Sequence, residues 1–213
     1  MEYGARAEAR KRPLARRRAS RSYPAMTDRH PAFFGYGSLV NRATHAYVQA
    51  TPARLSGWRR IWRHTTLRPH PFLSAEPAAA EIDGLVAAVP SGDWAALDAR
   101  EAAYRRHALD AGRLVPAPAW AGRVEIYALD EAHAASAPGG AILLSYLDTV
   151  VQGFLSEFGE AGVARFFDTT AGWTAILDDR ARPSYPRAQR LTAAERALTD
   201  RHTDALGLAR LRR

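Results

Sequence analysis

A chain of 213 residues, 47% of them hydrophobic, can bury one well-packed core, and no stretch approaches the roughly 18 apolar residues of a membrane span. It has no cysteine, which excludes disulfides, thiolate metal ligands and a cysteine nucleophile and fits a cytoplasmic location. The net charge of +8 is unevenly placed: residues 1–25 hold eight basic and two acidic residues, leaving +2 for residues 26–213, so the basicity belongs to a tail and not to a domain face that would bind nucleic acid.

That tail is Arg- and Ala-rich and lacks the apolar run of a secretory signal, so residues 1–30 read as a basic, disordered extension and 31–213 as one domain. Met26 stands just before the first strand, which makes it a candidate native start, with residues 1–25 as an added extension. The intact mass of the natively expressed protein decides this. A transit peptide or a nucleic-acid-binding arm are the other readings of the tail.

Residues 32–36 read as a buried strand that runs into Gly35-Tyr36-Gly37-Ser38-Leu39. Asn41 to Val48 is ambiguous. Ala53 to Trp62 alternates well enough for a strand, with Arg59, Arg60 and Arg63 on a solvated face. Residues 64–80, broken by Pro69, Pro71 and Pro77, read as loop, with Phe72-Leu73 at most a short edge strand. Ile82 to Val89 is an apolar strand closed by Pro90. Ser91 as N-cap and Asp93 in the first turn predict a helix continuing through Tyr104.

Arg105 to Val115 returns to extended structure, and in 122–129 Val124, Ile126 and Ala128 alternate with Arg123, Glu125 and Tyr127. A break at Pro138-Gly139-Gly140 precedes a helix from about Ala141 to Phe158, followed by another over Glu160 to Phe167. Residues 171–188 read as irregular but apolar enough to pack, and Thr192 caps a last helix ending near Leu206. Strands first and helices last, without βαβ alternation, predict an α+β fold with a mainly antiparallel or mixed sheet.

On the helix predicted over 91–104, Trp94, Leu97, Glu101 and Tyr104 share one stripe. A carboxylate so placed is desolvated, which raises its pKa toward that of a proton carrier. The other reading is an ordinary ion pair between Glu101 and Arg105 one turn on. The Gly-Tyr-Gly-Ser turn is open in the same way. Glycine permits positive φ and close approach to the main chain, so the turn is either a concave anion site or a tight connection. It is not a nucleophile elbow, because Tyr36 and Val40 stand where glycines are needed, and no Gly-Lys-Ser/Thr makes it a phosphate loop. The histidines have no metal-binding spacing, so His64, His70, His107, His133 and His202 are expected on the surface or in structural roles, and no metal or cofactor is expected.

Three motifs together resemble the gamma-glutamylcyclotransferase superfamily, which includes the ChaC-type enzymes: Tyr36-Gly37-Ser38-Leu39, then Leu97-Asp98-Ala99-Arg100-Glu101-Ala102-Ala103-Tyr104, then Tyr146 to Gly153. The resemblance covers about residues 32–158, with 159–213 as a helical C-terminal extension beyond it. Val40-Asn41, and the lack of a Gly after Glu101, depart from the pattern. The resemblance implies a mixed sheet or small β-barrel with packed helices, no cofactor, and cyclisation of a small gamma-glutamyl substrate to 5-oxoproline. It implies Glu101 as the catalytic proton carrier, with Tyr36, Gly37, Ser38, Leu39 and Tyr146 binding substrate. A non-catalytic binding member of the same fold, and a nucleic-acid role for the tail, are the competing readings. Glutathione, a dipeptide, an amine and a biosynthetic intermediate all remain open as substrate, as do monomer and homodimer.

Overall fold

The computed structural model describes residues 29–135 and 139–212. The readings made for residues 1–28, and Pro138 of the expected Pro-Gly-Gly break, lie outside the described residues. In chain order the elements are β1 (His30–Gly35), β2 (Ala50–Arg63), β3 (Phe72–Ala88), α1 (Ala95–Arg100), β4 (Tyr104–Ala108), β5 (Leu114–Val115), β6 (Ala121–Leu129), β7 (Ile142–Leu143), α2 (Leu144–Asp168), β8 (Thr170–Ala171), β9 (Ile176–Asp178), α3 (Ala193–Ala205) and β10 (Arg210–Arg212).

The main sheet runs β4-β6-β1-β3-β2-β5, with β8 on the free side of β2; β1 is parallel to β6 and antiparallel to β3, so the sheet is mixed and the class is α+β. It is strongly curled. Trp58 of β2 and His107 of β4 have ring centroids 6.2 Å apart although three strands stand between them. In a flat sheet that separation would be about 19 Å, four spacings of about 4.8 Å. Three short parallel strands, β10-β9-β7, form a second sheet.

From Ala32 onward strand β1 is apolar because both its faces are covered there. Phe34 enters a core shared with Leu55, Leu85 and Ile126, with Leu147, Val150 and Phe154 of α2, and with Ile176 and Leu198 further on. Phe33 faces a second cluster with Leu39, Val89, Leu97 and Tyr127, which seats α1. A strand buried on both sides needs a continuous apolar run and does not alternate. β1 is also short. It pairs with Leu85 at Gly35 and then leaves the sheet, while β3 and β6 continue past it. Their continuations meet where Leu129 N–H donates to Ser74 Oγ at 3.0 Å. The gap at the end of β1 receives the turn 35–39.

Several elements differ from expectation. Residues 72–80 are not loop, since β3 begins at Phe72 and pairs with β2 from there on. Pro77 is tolerated because it sits at an irregularity, where the ladder skips from Ser56↔Glu81 to Trp58↔Pro77 around Gly57, whose φ is +81°. The helix predicted over 91–104 is only Ala95–Arg100; Ser91 is no N-cap but lies in a preceding 3-10 turn with φ 54°, and Tyr104 is already in β4. Pairing with β6 takes over there from helix propensity, with Tyr104 opposite Leu129. Arg60 is not on a solvated face but wholly buried. It donates to Asp83 O (2.7 Å), Thr169 Oγ1 (2.7 Å) and Thr170 Oγ1 (3.1 Å), and its guanidinium lies 5.0 and 4.9 Å from the ring centroids of Phe154 and Phe166. Burial pushes the group down to about 9, still charged at neutral pH.

The helical end of the chain follows the sequence in its helices, but α2 begins at Leu144, after β7, and β9 lies within the stretch 171–188 that was expected to be irregular. α2 contains a break at Gly159, φ 65°, between the two helices expected there. Thr192 caps α3 in a reciprocal capping box with Glu195. Among the described residues, no helix is long and apolar enough to cross a membrane.

Candidate active site

The motif around Glu101 divides its labour residue by residue. Leu97 anchors α1 in the second apolar cluster. Asp98 accepts a 2.6 Å hydrogen bond from the Tyr127 hydroxyl and pairs with Arg106, whose guanidinium also lies 4.5 Å from the Trp94 ring centroid. Those contacts fix the helix to β6 and β4. Glu101 terminates the helix, and its N–H still donates to Leu97 O, so the carboxylate leaves the helix at a defined point. Tyr104 stacks on Phe72 and donates through its hydroxyl to Leu73 O at 3.0 Å, a packing role that joins β4 to the start of β3.

The ion partner of Glu101 is Arg100, not Arg105, which pairs with Asp130 instead. Arg100 Nε donates to Glu101 Oε1 at 3.1 Å, while its remaining N–H groups reach Thr44 O (2.9 Å), Thr44 Oγ1 (3.2 Å) and, more weakly, Ser38 Oγ (3.4 Å). One guanidinium fork thus joins the carboxylate to the loop that follows β1. The Arg100 side chain is 9% exposed and that of Glu101 16%. Burial raises the pKa of Glu101; the positive charges of Arg100 and Arg187 oppose that rise without cancelling it.

The loop itself is two successive 3-10 turns, Ser38–Val40 and Arg42–Thr44. Val40 and Asn41 N–H close onto the carbonyls of Gly37 and Ser38, which leaves the amides of Gly37, Ser38 and Leu39 at the open N-terminal end of the first turn. His45 holds the loop from outside. Its Nδ1 accepts from Tyr47 N–H, so Nε2 carries the proton and donates to Leu39 O at 3.1 Å; burial, its main influence, lowers its pKa and keeps it neutral. From the other side, Asn41 Nδ2 donates to Thr149 O and Gln152 Oε1 of α2.

Neither Gly35 nor Gly37 has positive φ. Gly37 is required by crowding: a Cβ there would lie 2.9 Å from the Tyr146 hydroxyl and 3.2 Å from Leu73 Cδ2. Tyr146, from the second residue after the start of α2, therefore stands directly over the loop. Tyr36 turns the other way and donates to Tyr127 O at 2.6 Å, filling the gap in the sheet. Leu39 is buried in the second cluster. Of the residues singled out beforehand, the structure thus brings the backbone of Gly37 to Leu39, Tyr146 and Glu101 together, whereas the Tyr36 and Leu39 side chains serve as support. Burial, with the Glu101 charge adding to it, raises the pKa of Tyr36, Tyr104 and Tyr146, so all three stay protonated.

This pairing of a Tyr-Gly-Ser-Leu loop with a desolvated glutamate on the following helix lies within residues 33–141, the stretch that matches the family described as gamma-glutamyl cyclotransferase, AIG2-like. The chain belongs to that family. Among solved structures, the chain is similar to YkqA from Bacillus subtilis (15% identity, 67% of this chain and 56% of that one, TM-score 0.47). It is also similar to a solution structure from Arabidopsis thaliana (20% identity, 68% and 91%, TM-score 0.38). A third is a yeast gamma-glutamyl cyclotransferase described as specific to glutathione (14% identity, 83% and 96%, TM-score 0.38). The chain spans little more than half the length of YkqA. No curated protein sequence matches it.

Sequence reasoning passed over Arg100, Thr44, Asn41 and the segment near residue 185. Arg100 was within reach, being next to Glu101 in the quoted motif. Tyr185 was not: its ring packs edge-on to Tyr146 with centroids 5.0 Å apart, across a stretch with no periodicity. A hollow of about 560 Å³ lies elsewhere, lined by Arg54, Arg165 and Asp83 among others. These charges are already paired, Arg54 with Asp83 and Glu81 and Arg165 with Asp83. Among the described residues no group of three or more potential metal ligands converges.

Proposed function

We propose that the protein is a gamma-glutamylcyclotransferase-type enzyme that converts a small gamma-glutamyl compound to 5-oxoproline and releases the amine portion. The observation that carries this reading is Glu101, desolvated, yet tied through Arg100 to the loop over which Tyr146 stands. The amides of Gly37 to Leu39 would hold the glutamyl end and fold it so that its α-nitrogen meets the γ-carbonyl carbon.

Glu101 takes one proton from the α-ammonium, and the nitrogen lone pair then forms the new C–N bond. The γ-carbonyl oxygen becomes an oxyanion, which backbone N–H donors stabilise. Collapse breaks the old C–N bond as Glu101 returns the proton to the leaving nitrogen, and the second proton of the former ammonium passes from the new ring nitrogen to the freed amine, giving neutral 5-oxoproline and an ammonium product. The raised pKa suits both halves of this transfer near neutral pH. Because the reaction is intramolecular, correct folding of the substrate supplies much of the rate. The protonated tyrosines act as donors and as walls, not as bases.

The test is 5-oxoproline release from gamma-glutamyl dipeptides, gamma-glutamylamines and glutathione, wild type beside Glu101→Gln. Product from wild type and none from the variant supports the reading. Equal product from both removes Glu101 from the mechanism.

A further inference from the structure

Beyond the family-matched stretch, residues 179–190 cross the same end of α2 that bears Tyr146. The crossing is fastened at both ends. At the first, buried Asp179 accepts from Ser145 N–H (2.8 Å), Ser145 Oγ–H (2.7 Å) and Ser184 N–H (2.7 Å), and Tyr185 N–H donates to Ser145 Oγ at 3.3 Å. At the second, Gln152 Nε2 donates to Arg190 O at 3.1 Å, while its Oε1 receives Asn41 of the substrate loop. Ala188 N–H closes a turn onto Tyr185 O. The strap therefore runs along α2 between residues 145 and 152, with Tyr185 set against Tyr146 and Arg187 between the two fastenings.

Arg187 is exposed, and among the described residues its guanidinium has neither an ion pair nor a hydrogen bond; only its carbonyl is used, by Gln189. Its charge nevertheless bears on the site, drawing the titration of both Glu101 and Tyr47 downward. The other cation there, Arg100, is committed to Glu101, Ser38 and Thr44. An uncommitted guanidinium at the rim of a site is a receptor for a planar oxyanion, and it matches a carboxylate two donors to two oxygens.

We propose that Arg187 receives the carboxylate of the leaving portion, so that the enzyme takes gamma-glutamyl amino acids or peptides in preference to gamma-glutamylamines. The inference rests on the reading under Proposed function. The leaving portion is the better assignment than the glutamyl end for two reasons. The glutamyl end is common to every substrate and has the amides of residues 37–39, which lie inside the family match, whereas Arg187 lies outside it. Glu101 must also reach the leaving nitrogen, which brings that portion under the strap beside it.

The experiment compares gamma-glutamylalanine with gamma-glutamylethylamine, the same compound with the carboxylate replaced by hydrogen, on wild type, Arg187→Ala and Arg187→Lys. Arg187→Ala should lower kcat/KM for the alanine compound by on the order of tenfold, a charge-assisted hydrogen bond discounted for exposure, and change the ethylamine compound less than twofold. Arg187→Lys should recover part of the loss. Equal losses on both compounds, or a wild type that does not distinguish them, overturn the proposal. Calorimetric binding separates it from the underlying reading. If wild type turns over neither compound but binds the alanine compound about tenfold more tightly than Arg187→Ala does, the carboxylate receptor stands and cyclisation falls. Binding indifferent to residue 187 overturns the receptor whatever the activity.

Discussion

Replacing Arg100 with methionine keeps most of the length of the side chain and removes its charge and donors. The structure assigns that loss to two separate places. Towards Glu101, a 3.1 Å ion pair disappears between side chains that are 9% and 16% exposed. Towards the loop, the bonds to Thr44 O and Thr44 Oγ1 and the weaker one to Ser38 Oγ disappear. Thr44 O gives up the strongest of these, and a hydrogen bond to a charged donor contributes roughly 1.5–3 kcal/mol. Relief from burying the guanidinium offsets part of the total, so the net cost is about 2 kcal/mol, or a fall in Tm of roughly 4–8 °C for a chain of this size.

A purely structural role would end there. Because Arg100 also opposes the desolvation that raises the pKa of Glu101, the variant's carboxyl keeps its proton to higher pH. The acidic limb of the kcat/KM profile should move to higher pH, and raising the pH should restore part of the activity lost at neutrality. Arg100→Lys retains the charge and should leave that limb closer to wild type while still loosening the loop. An acidic limb in Arg100→Met that coincides with wild type refutes the electrostatic link, even if the melting temperature falls as expected.

Three further outcomes are expected. Arg60→Met keeps the stem between Phe154 and Phe166 and orphans chiefly the Asp83 carbonyl, for about 1–3 kcal/mol, whereas Arg60→Ala adds a cavity and should cost about 3–5 kcal/mol; urea midpoints that place both within about 0.5 kcal/mol of wild type would mean that Arg60 is not enclosed. Gly37→Ala brings a methyl within 2.9 Å of the Tyr146 hydroxyl, and the displaced loop should lower 5-oxoproline formation by on the order of 10²-fold with circular dichroism unchanged. Because burial raises its pKa, Glu101 holds in the native state a proton that the unfolded chain has released above about pH 4.3, so native stability declines as pH rises through that window. Glu101→Gln escapes the decline, and its stability advantage in denaturant titrations should widen between pH 4 and 8; a gap that does not change with pH contradicts the shift.

What the sequence disclosed followed from local rules. The helix break at Gly159 and the capping box at Thr192 depend on neighbours within a turn, and both elements lie where they were expected. The Arg60 reading had a usable signal that went unused. In a strand, residue 60 shares a face with Trp58 and Trp62, both buried, while Arg59 and Arg63 share the other. The prolines near residue 70 obscured the first half of β3, because whether Pro77 breaks a strand depends on what the partner strand does at Gly57. The helix continued only on paper to Tyr104, since its Ala-rich composition favours helix and the competing ladder partner, Leu129, is distant in sequence. In the site, two of the three quoted motifs led to Glu101 and the 37–39 loop, but not to the bonds by which Arg100 connects them or to the strap, both of which exist only through tertiary contacts.

The loop after β1 is held by two tethers of very different reach: Arg100 to Thr44 spans 56 residues, and Asn41 to Gln152 spans 111. Closing the longer tether costs only about 0.6 kcal/mol more in chain entropy, so thermodynamically the two are near equals. On the ribosome they are not. At roughly 5–20 residues per second, the chain has made its loop some 5–20 seconds before Gln152 is available to grip it. For that interval the nascent chain carries the loop amides without the wall that Tyr146 provides. The wall is in place only once α2 folds back, so the loop is shaped first and enclosed later.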